Sequence, residues 1–177
     1  MPAAQYPMHV LPVARLLQLQ RLPTHEEIKE ELVLQCDGMH TVFVSQTWLS
    51  RAHPDNGDNA KLKLLQSFLR DGKKGVRPSL ISEIFWGGKL KIPAKALSKI
   101  QYVWLDVFSI PQADTARQAD AIASIPNYVE RAAFFVCVAG AWRHESGALR
   151  DVRAWCARGW CRMELLCNLL SPMAKPL

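Results

Sequence analysis

Three stretches of this chain are almost continuously apolar: Thr41-Val42-Phe43-Val44-Ser45, Tyr102-Val103-Trp104-Leu105-Asp106-Val107 and Ala133-Phe134-Phe135-Val136-Cys137-Val138. A strand with one wet face alternates apolar and polar residues; these do not. They predict strands covered on both faces, as in a parallel sheet flanked by helices. Helical spacing fills the intervals. Asn59 to Arg70 places Leu62, Leu65, Phe68 and Leu69 on one stripe, with Gly72 as a stop. Ser79 to Trp86 reads as a short helix before Gly87-Gly88. Thr115 to Arg131 carries Ile122, Ile125 and Val129 on one face, and Pro126 must kink or restart it. A last helix runs from Gly159 or Trp160 to Leu170, and Pro172 ends it. The order β-α-β-α-β-α predicts an open, doubly wound parallel sheet with helices on both faces.

Residues 1–38 read as an N-terminal extension, and 39–177 as the α/β domain. Thr24-His25-Glu26-Glu27 has the form of a capping box, with Pro23 ahead of it, so a short helix is expected over 25–34. It should cover an edge or face of the sheet. The chain stops just after its third strand and the following helix, whereas doubly wound sheets normally have about four or five strands. The sequence therefore reads as C-terminally truncated, unless the N-terminal segment supplies the missing element.

Hydrophobic residues make up 49% and charged residues 21%, so the chain can bury a core and is not a disordered tail. The excess of 22 basic over 16 acidic side chains, +6, is spread out rather than gathered in a stripe. A nucleic-acid partner therefore ranks last. No targeting segment is visible, and no uncharged run approaches the ~18–20 residues of a membrane helix. The five cysteines, at positions 36, 137, 156, 161 and 167, form no CxxC pair and no zinc spacing with histidine. The expectations are a cytoplasmic, reducing setting, no metal and no membrane partner.

In such sheets ligands bind beyond the carboxyl ends of the strands. The first strand ends in Ser45-Gln46-Thr47-Trp48. The second ends in Asp106, followed by Phe108-Ser109-Ile110-Pro111-Gln112, and the third runs into Ala139-Gly140-Ala141-Trp142. Hydroxyl, amide and carboxylate groups thus gather with aromatic rings, which suits a polar ligand with a flat ring, such as a nucleotide. The plainer reading is that these residues only turn loops and cap helices. There is no GxGxxG, GxxxxGK[ST] or GxSxG, which argues against dinucleotide dehydrogenases, P-loop enzymes and nucleophile-elbow hydrolases.

The last helix carries Trp160, Glu164, Asn168 and Ser171 on one face among mostly apolar residues. Two readings of Glu164 stand. It is an acid of the first turn, stabilised by the positive helix terminus, or it is a carboxylate aimed into a cleft beside Trp160.

Arg158-Gly159-Trp160-Cys161-Arg162-Met163-Glu164-Leu165 resembles the W-C-x-x-E-L motif of Toll/interleukin-1 receptor (TIR) domains. Val42-Phe43-Val44-Ser45 is similar to their first strand. Trp104-Leu105-Asp106 with Ile110-Pro111-Gln112 resembles the W-[IL]-D-x-x-x-I-N-Q segment of fungal heterokaryon-incompatibility (HET) domains, with Pro111 in place of Asn. Gln118, Ile122, Ile125, Tyr128 and Ala132 fall where that family repeats Q, aliphatic and A positions. The likeness spans about residues 40–171. It implies a flavodoxin-like (TIR-like) fold and a role in immune or cell-death signalling. It further implies NAD as substrate, cleaved at the nicotinamide-ribose bond, with no permanently bound cofactor and Glu164 as the catalytic glutamate. By position, the ligand-binding residues are then Ser45, Gln46, Trp48, Asp106, Ser109, Gln112, Trp142 and Trp160. The competing expectation is a non-catalytic module that self-associates or pairs with other TIR/HET-like domains.

Overall fold

The computed structural model describes residues 4–71 and 94–172. Along the chain run β1 (His9–Pro12), α1 (Val13–Leu16), α2 (His25–Ile28), a 3-10 turn (Lys29–Glu31), β2 (Val33–Leu34), β3 (Thr41–Gln46) and α3 (Ala60–Asp71). There follow α4 (Ala94–Leu97), β4 (Tyr102–Leu105), α5 (Asp106–Ser109), α6 (Thr115–Ala123), α7 (Ile125–Arg131), β5 (Phe134–Val138), α8 (Val152–Ala157) and α9 (Gly159–Leu170). The strands form one open sheet in the order β2-β1-β4-β3-β5.

The three expected strands are its parallel centre, with β3 between β4 and β5. The sheet as a whole is mixed rather than parallel. β1 pairs antiparallel with β4, and β2 antiparallel with β1. Both added strands come from residues 1–38, so that segment is woven into the sheet rather than appended to it. Its strands are too short to register as a pattern: β1 has four residues and β2 two. Pro12, which has no N–H to give a ladder, ends β1. Val10, Leu11, Leu16 and Leu22 are all buried. The helix expected over 25–34 is only the single turn of α2, where the Thr24 amide donates to the Glu27 carboxylate at 2.8 Å. The 3-10 turn and β2 take up the rest.

Alternation along β3 sets the two layers. Phe43 belongs to one core with Trp104, Phe135, Tyr128 and Trp155, and Val42 and Val44 to the other with Leu62, Leu65, Val103 and Leu105. Phe43 stacks between its two cross-strand neighbours, 4.2 Å from Trp104 and 5.4 Å from Phe135, centroid to centroid. Each such pair adds roughly 0.5–1.5 kcal/mol beyond burial. Covered on both sides, β3 is buried at every position, as its uninterrupted apolar run requires.

The sequence-expected helix over 115–131 breaks at Ser124, and Pro126 sits in the first turn of α7, where its missing N–H costs nothing. β4 ends at Leu105, two residues earlier than expected. Asp106 and Ser109 turn the chain there: the Val107 amide donates to Asp106 Oδ1 (2.9 Å) and the Leu105 amide to Ser109 Oγ (3.2 Å). The expected helix over 79–86 lies outside the described residues. From β3 the chain moves through α3 to β4 on one side, then returns through α6 and α7 to β5 on the other. That reversal puts the carboxyl ends of β3 and β4 at a switch point, where α9 packs on α7, α8 and β3. No helix among the described residues is long and apolar enough to cross a membrane.

Candidate functional site

Glu164 is the sixth residue of α9, and the first turn of that helix contains no acid. The reading of Glu164 as a first-turn acid on the helix dipole is therefore corrected; that field fades within the first turn. The helix is polar on its inner side: Glu164 is 8% exposed and Asn168 0%, whereas Leu166 is 53% and Leu170 81% exposed. Of the expected polar face, Glu164, Asn168 and Ser171 turn inward. Trp160 stays half exposed, at the rim of the cleft that Glu164 lines.

Behind Glu164 stands a directional chain of hydrogen bonds. Trp155 Nε1 donates to Ser45 Oγ at 2.9 Å, and Ser45 Oγ donates to Glu164 Oε2. An indole N–H can only donate, so the serine oxygen must accept it, and its one proton is left for Glu164. All three residues are buried. Burial pushes the Glu164 carboxyl up to about 8; the Ser45 bond opposes this, Asp106 reinforces it and Arg158 opposes it. Burial likewise pushes the neighbouring Cys161 thiol up to about 12, with Glu164 adding to the effect. It is therefore a thiol rather than a thiolate nucleophile at neutral pH.

Glu164 opens onto a cleft of about 300 Å³ lined by Gln46, Trp48, Asp106, Ile110, Gln112, Gln118, Ile122, Ile125, Arg158, Trp160, Cys161 and Glu164. Asp106 organises its opposite wall. It accepts from Gln46 Nε2 at 2.9 Å and from Trp48 Nε1 at 2.6 Å, which fixes the indole ring. Gln112 ties its own loop, donating to the Ile110 carbonyl (2.8 Å) and accepting from Gln118 Nε2 (3.4 Å). The N-terminal segment holds the same loop from outside. Glu26 accepts the amides of Gln112 (2.7 Å) and Ala113 (2.8 Å), and His25 Nδ1 lies 3.0 Å from the Phe108 carbonyl.

Six of the nine sequence-expected residues therefore share one cleft: Glu164, Gln46, Trp48, Asp106, Gln112 and Trp160. Ser45 lies one step behind, bonded to Glu164. Ser109 and Trp142 are elsewhere. Ser109 is buried and caps the Leu105 amide. Trp142 packs on the opposite layer, where Gly140 admits it: a Cβ there would meet the indole at 3.0 Å. Trp155 and Arg158 were missed as site residues. Asp151, whose carboxylate caps α8 by accepting the Ala154 amide at 2.9 Å, was the available signal for the short helix that carries Trp155.

Compared with known proteins, the chain matches no family model, no curated protein and no solved structure. Among the described residues, no group of three or more His, Cys, Asp or Glu side chains could hold a metal ion.

Proposed function

We propose that the chain is a TIR-like or HET-like domain of flavodoxin-like type that hydrolyses NAD at the nicotinamide-ribose bond, acting in the cytoplasm in immune or cell-death signalling. One observation carries the reading. A buried glutamate, aimed by a serine and a tryptophan, lines a cleft walled by Trp48 and Trp160. Apart from a chemical task, such burial of an acid only costs stability.

The chemistry follows from that placement. The flat pyridinium ring packs against an indole, and its positive charge draws Glu164 towards the carboxylate. The C1′–N bond breaks with its electron pair going to the ring nitrogen, which cancels the ring's charge. The positive charge then developing on the ribose is met by Glu164 in a poorly solvated cleft. Water adds to C1′ and gives its proton to the carboxylate. Since the active form is the carboxylate, kcat/KM rises with pH and levels off above about 8.

The test is release of nicotinamide from NAD by the purified chain, with Glu164→Gln expected to reduce it by about 100-fold or more. No release from the wild-type chain at high protein concentration, crowded or assembled, sinks the proposal. A second reading, self-association without catalysis, is favoured by the outer side of α9. There Met163, Leu166 and Leu170 line a surface hollow of about 500 Å³. It predicts concentration-dependent assembly that Glu164→Gln leaves unchanged.

A further inference from the structure

Next to the Glu164 cleft lies a second, larger cavity of about 530 Å³, and the two share Trp48 and Arg158 as a common wall. Its lining is basic: Arg51, Arg150, Arg158 and His144, with Ser50 and Trp48. Among the described residues no carboxylate lines it. Glu145 accepts the Arg51 amide (3.0 Å) and Asp151 caps α8. None of the ion pairs among the described residues engages Arg51, Arg150 or Arg158. Arg150 Nε is buried with no partner, although a buried donor normally has one. His144 is also poised to donate. The Ser146 amide lies 3.1 Å from Nδ1, so Nδ1 accepts and the ring proton sits on Nε2.

Three guanidiniums and an imidazole donor around a cavity that no described carboxylate lines describe an anion site. Guanidinium forks match phosphate oxygens in pairs. Trp48 and Arg158 border both cavities, so an extended molecule lying across these two residues would reach from one to the other. We propose that it is the phosphate subsite of the Glu164 cleft and takes the diphosphate of a dinucleotide whose ribose reaches Glu164. This rests on the NAD-cleaving reading for the second half of the molecule, but not for the anion itself.

Two measurements separate the two claims. Inorganic pyrophosphate is titrated into the full chain by calorimetry, with Trp48 fluorescence as a second signal, and NAD turnover is then followed in the same variants. Pyrophosphate should bind the wild type and Glu164→Gln alike, and about tenfold or more weaker to Arg51→Gln and Arg150→Gln. For NAD, Arg51→Gln should raise KM about tenfold while changing kcat less than about threefold. Arg51 is exposed, so its variant keeps the test alive if Arg150→Gln fails to fold. Absence of pyrophosphate binding, equal binding by both arginine variants, or an unchanged KM for NAD overturns the subsite. Pyrophosphate binding that needs Arg51, without any NAD cleavage, keeps the subsite and removes the reaction.

Discussion

At the end of β3 two ionisable side chains are buried on opposite layers of the sheet. Glu164 comes from α9 and is met by Ser45; Lys61 comes from α3 and lies beside Gln46, the next residue of the strand. Burial moves both towards the neutral form: Glu164 up to about 8, and Lys61 down to about 8 against the opposing pull of Asp106 and Asp55. Their surroundings differ in kind. Lys61 is 2% exposed and donates to the Thr47 carbonyl, with Gln46 Oε1 3.5 Å away and the Trp142 ring 5.6 Å from its nitrogen. No water-sized space remains around it. Glu164 is held by Ser45 through one oxygen, and it faces a cleft. A sealed, partnered charge fastens a loop; one beside open volume is available to a ligand.

The sharpest test of that contrast is turnover. Glu164→Gln is nearly isosteric and should remove about 100-fold or more of nicotinamide release while the protein stays folded by circular dichroism. Lys61→Met should do the reverse: activity per folded molecule stays within about threefold, while stability drops by about 1–3 kcal/mol because the Thr47 carbonyl loses its donor. Loss of turnover in a well-folded Lys61→Met protein would erase the distinction.

The pH dependence of stability comes next and has opposite signs at the two sites. Below 4.5 Glu164 is neutral both folded and unfolded; as pH rises from 4.5 to about 8 the unfolded chain ionises first and stability is lost. Above 10.5 Lys61 is neutral in both states; as pH falls from 10.5 to about 8 the unfolded chain gains its proton first and stability is again lost. Each slope is worth a few kcal/mol at most. Denaturant titrations across pH should lose the first slope in Glu164→Gln and the second in Lys61→Met.

A smaller effect is expected one step back. Trp155→Phe keeps the ring in the core but removes the donor that orients Ser45, which should lower kcat about tenfold and stability by about 1 kcal/mol. Smallest of all, Leu170→Glu on the exposed outer side of α9 should change stability by less than about 0.5 kcal/mol. A fall in self-association measured by light scattering would tie that surface to the second reading.

The parallel centre of the fold was legible because β3, β4 and β5 are covered on both faces, and double burial leaves continuous apolar runs. β1 and β2 were not legible: a four-residue and a two-residue strand carry no period, and their place is set by the free edge of β4. The site was legible at strand ends, where Gln46, Trp48 and Asp106 converge because parallel strands deliver their carboxyl ends to one side. Ser109 and Trp142 share that position in sequence but not that direction. A one-turn helix after Leu105 points Ser109 back at the backbone, and the loop after β5 carries Trp142 to the other layer. Helical periodicity placed Glu164 correctly with Asn168 and Ser171, but it gave no sign that these polar residues are the buried side. The usual rule of leucines inward fails where a helix must present its acid to a cleft.

The pairing of Leu11 with Val103 has a further consequence for how the protein is made. On the ribosome the first strand emerges long before the strand it joins. Until β4 appears, Leu11 lacks its partner strand, and that edge of β1 travels exposed in the growing chain. Completion of the sheet is therefore a late, long-range event that closes the whole intervening loop. The loop after Asp106, held by His25 and Glu26, can be locked only when that event has happened. The site thus comes into being last, and a chain stalled or cut before β4 would carry its first strand as an aggregation hazard rather than as part of a fold.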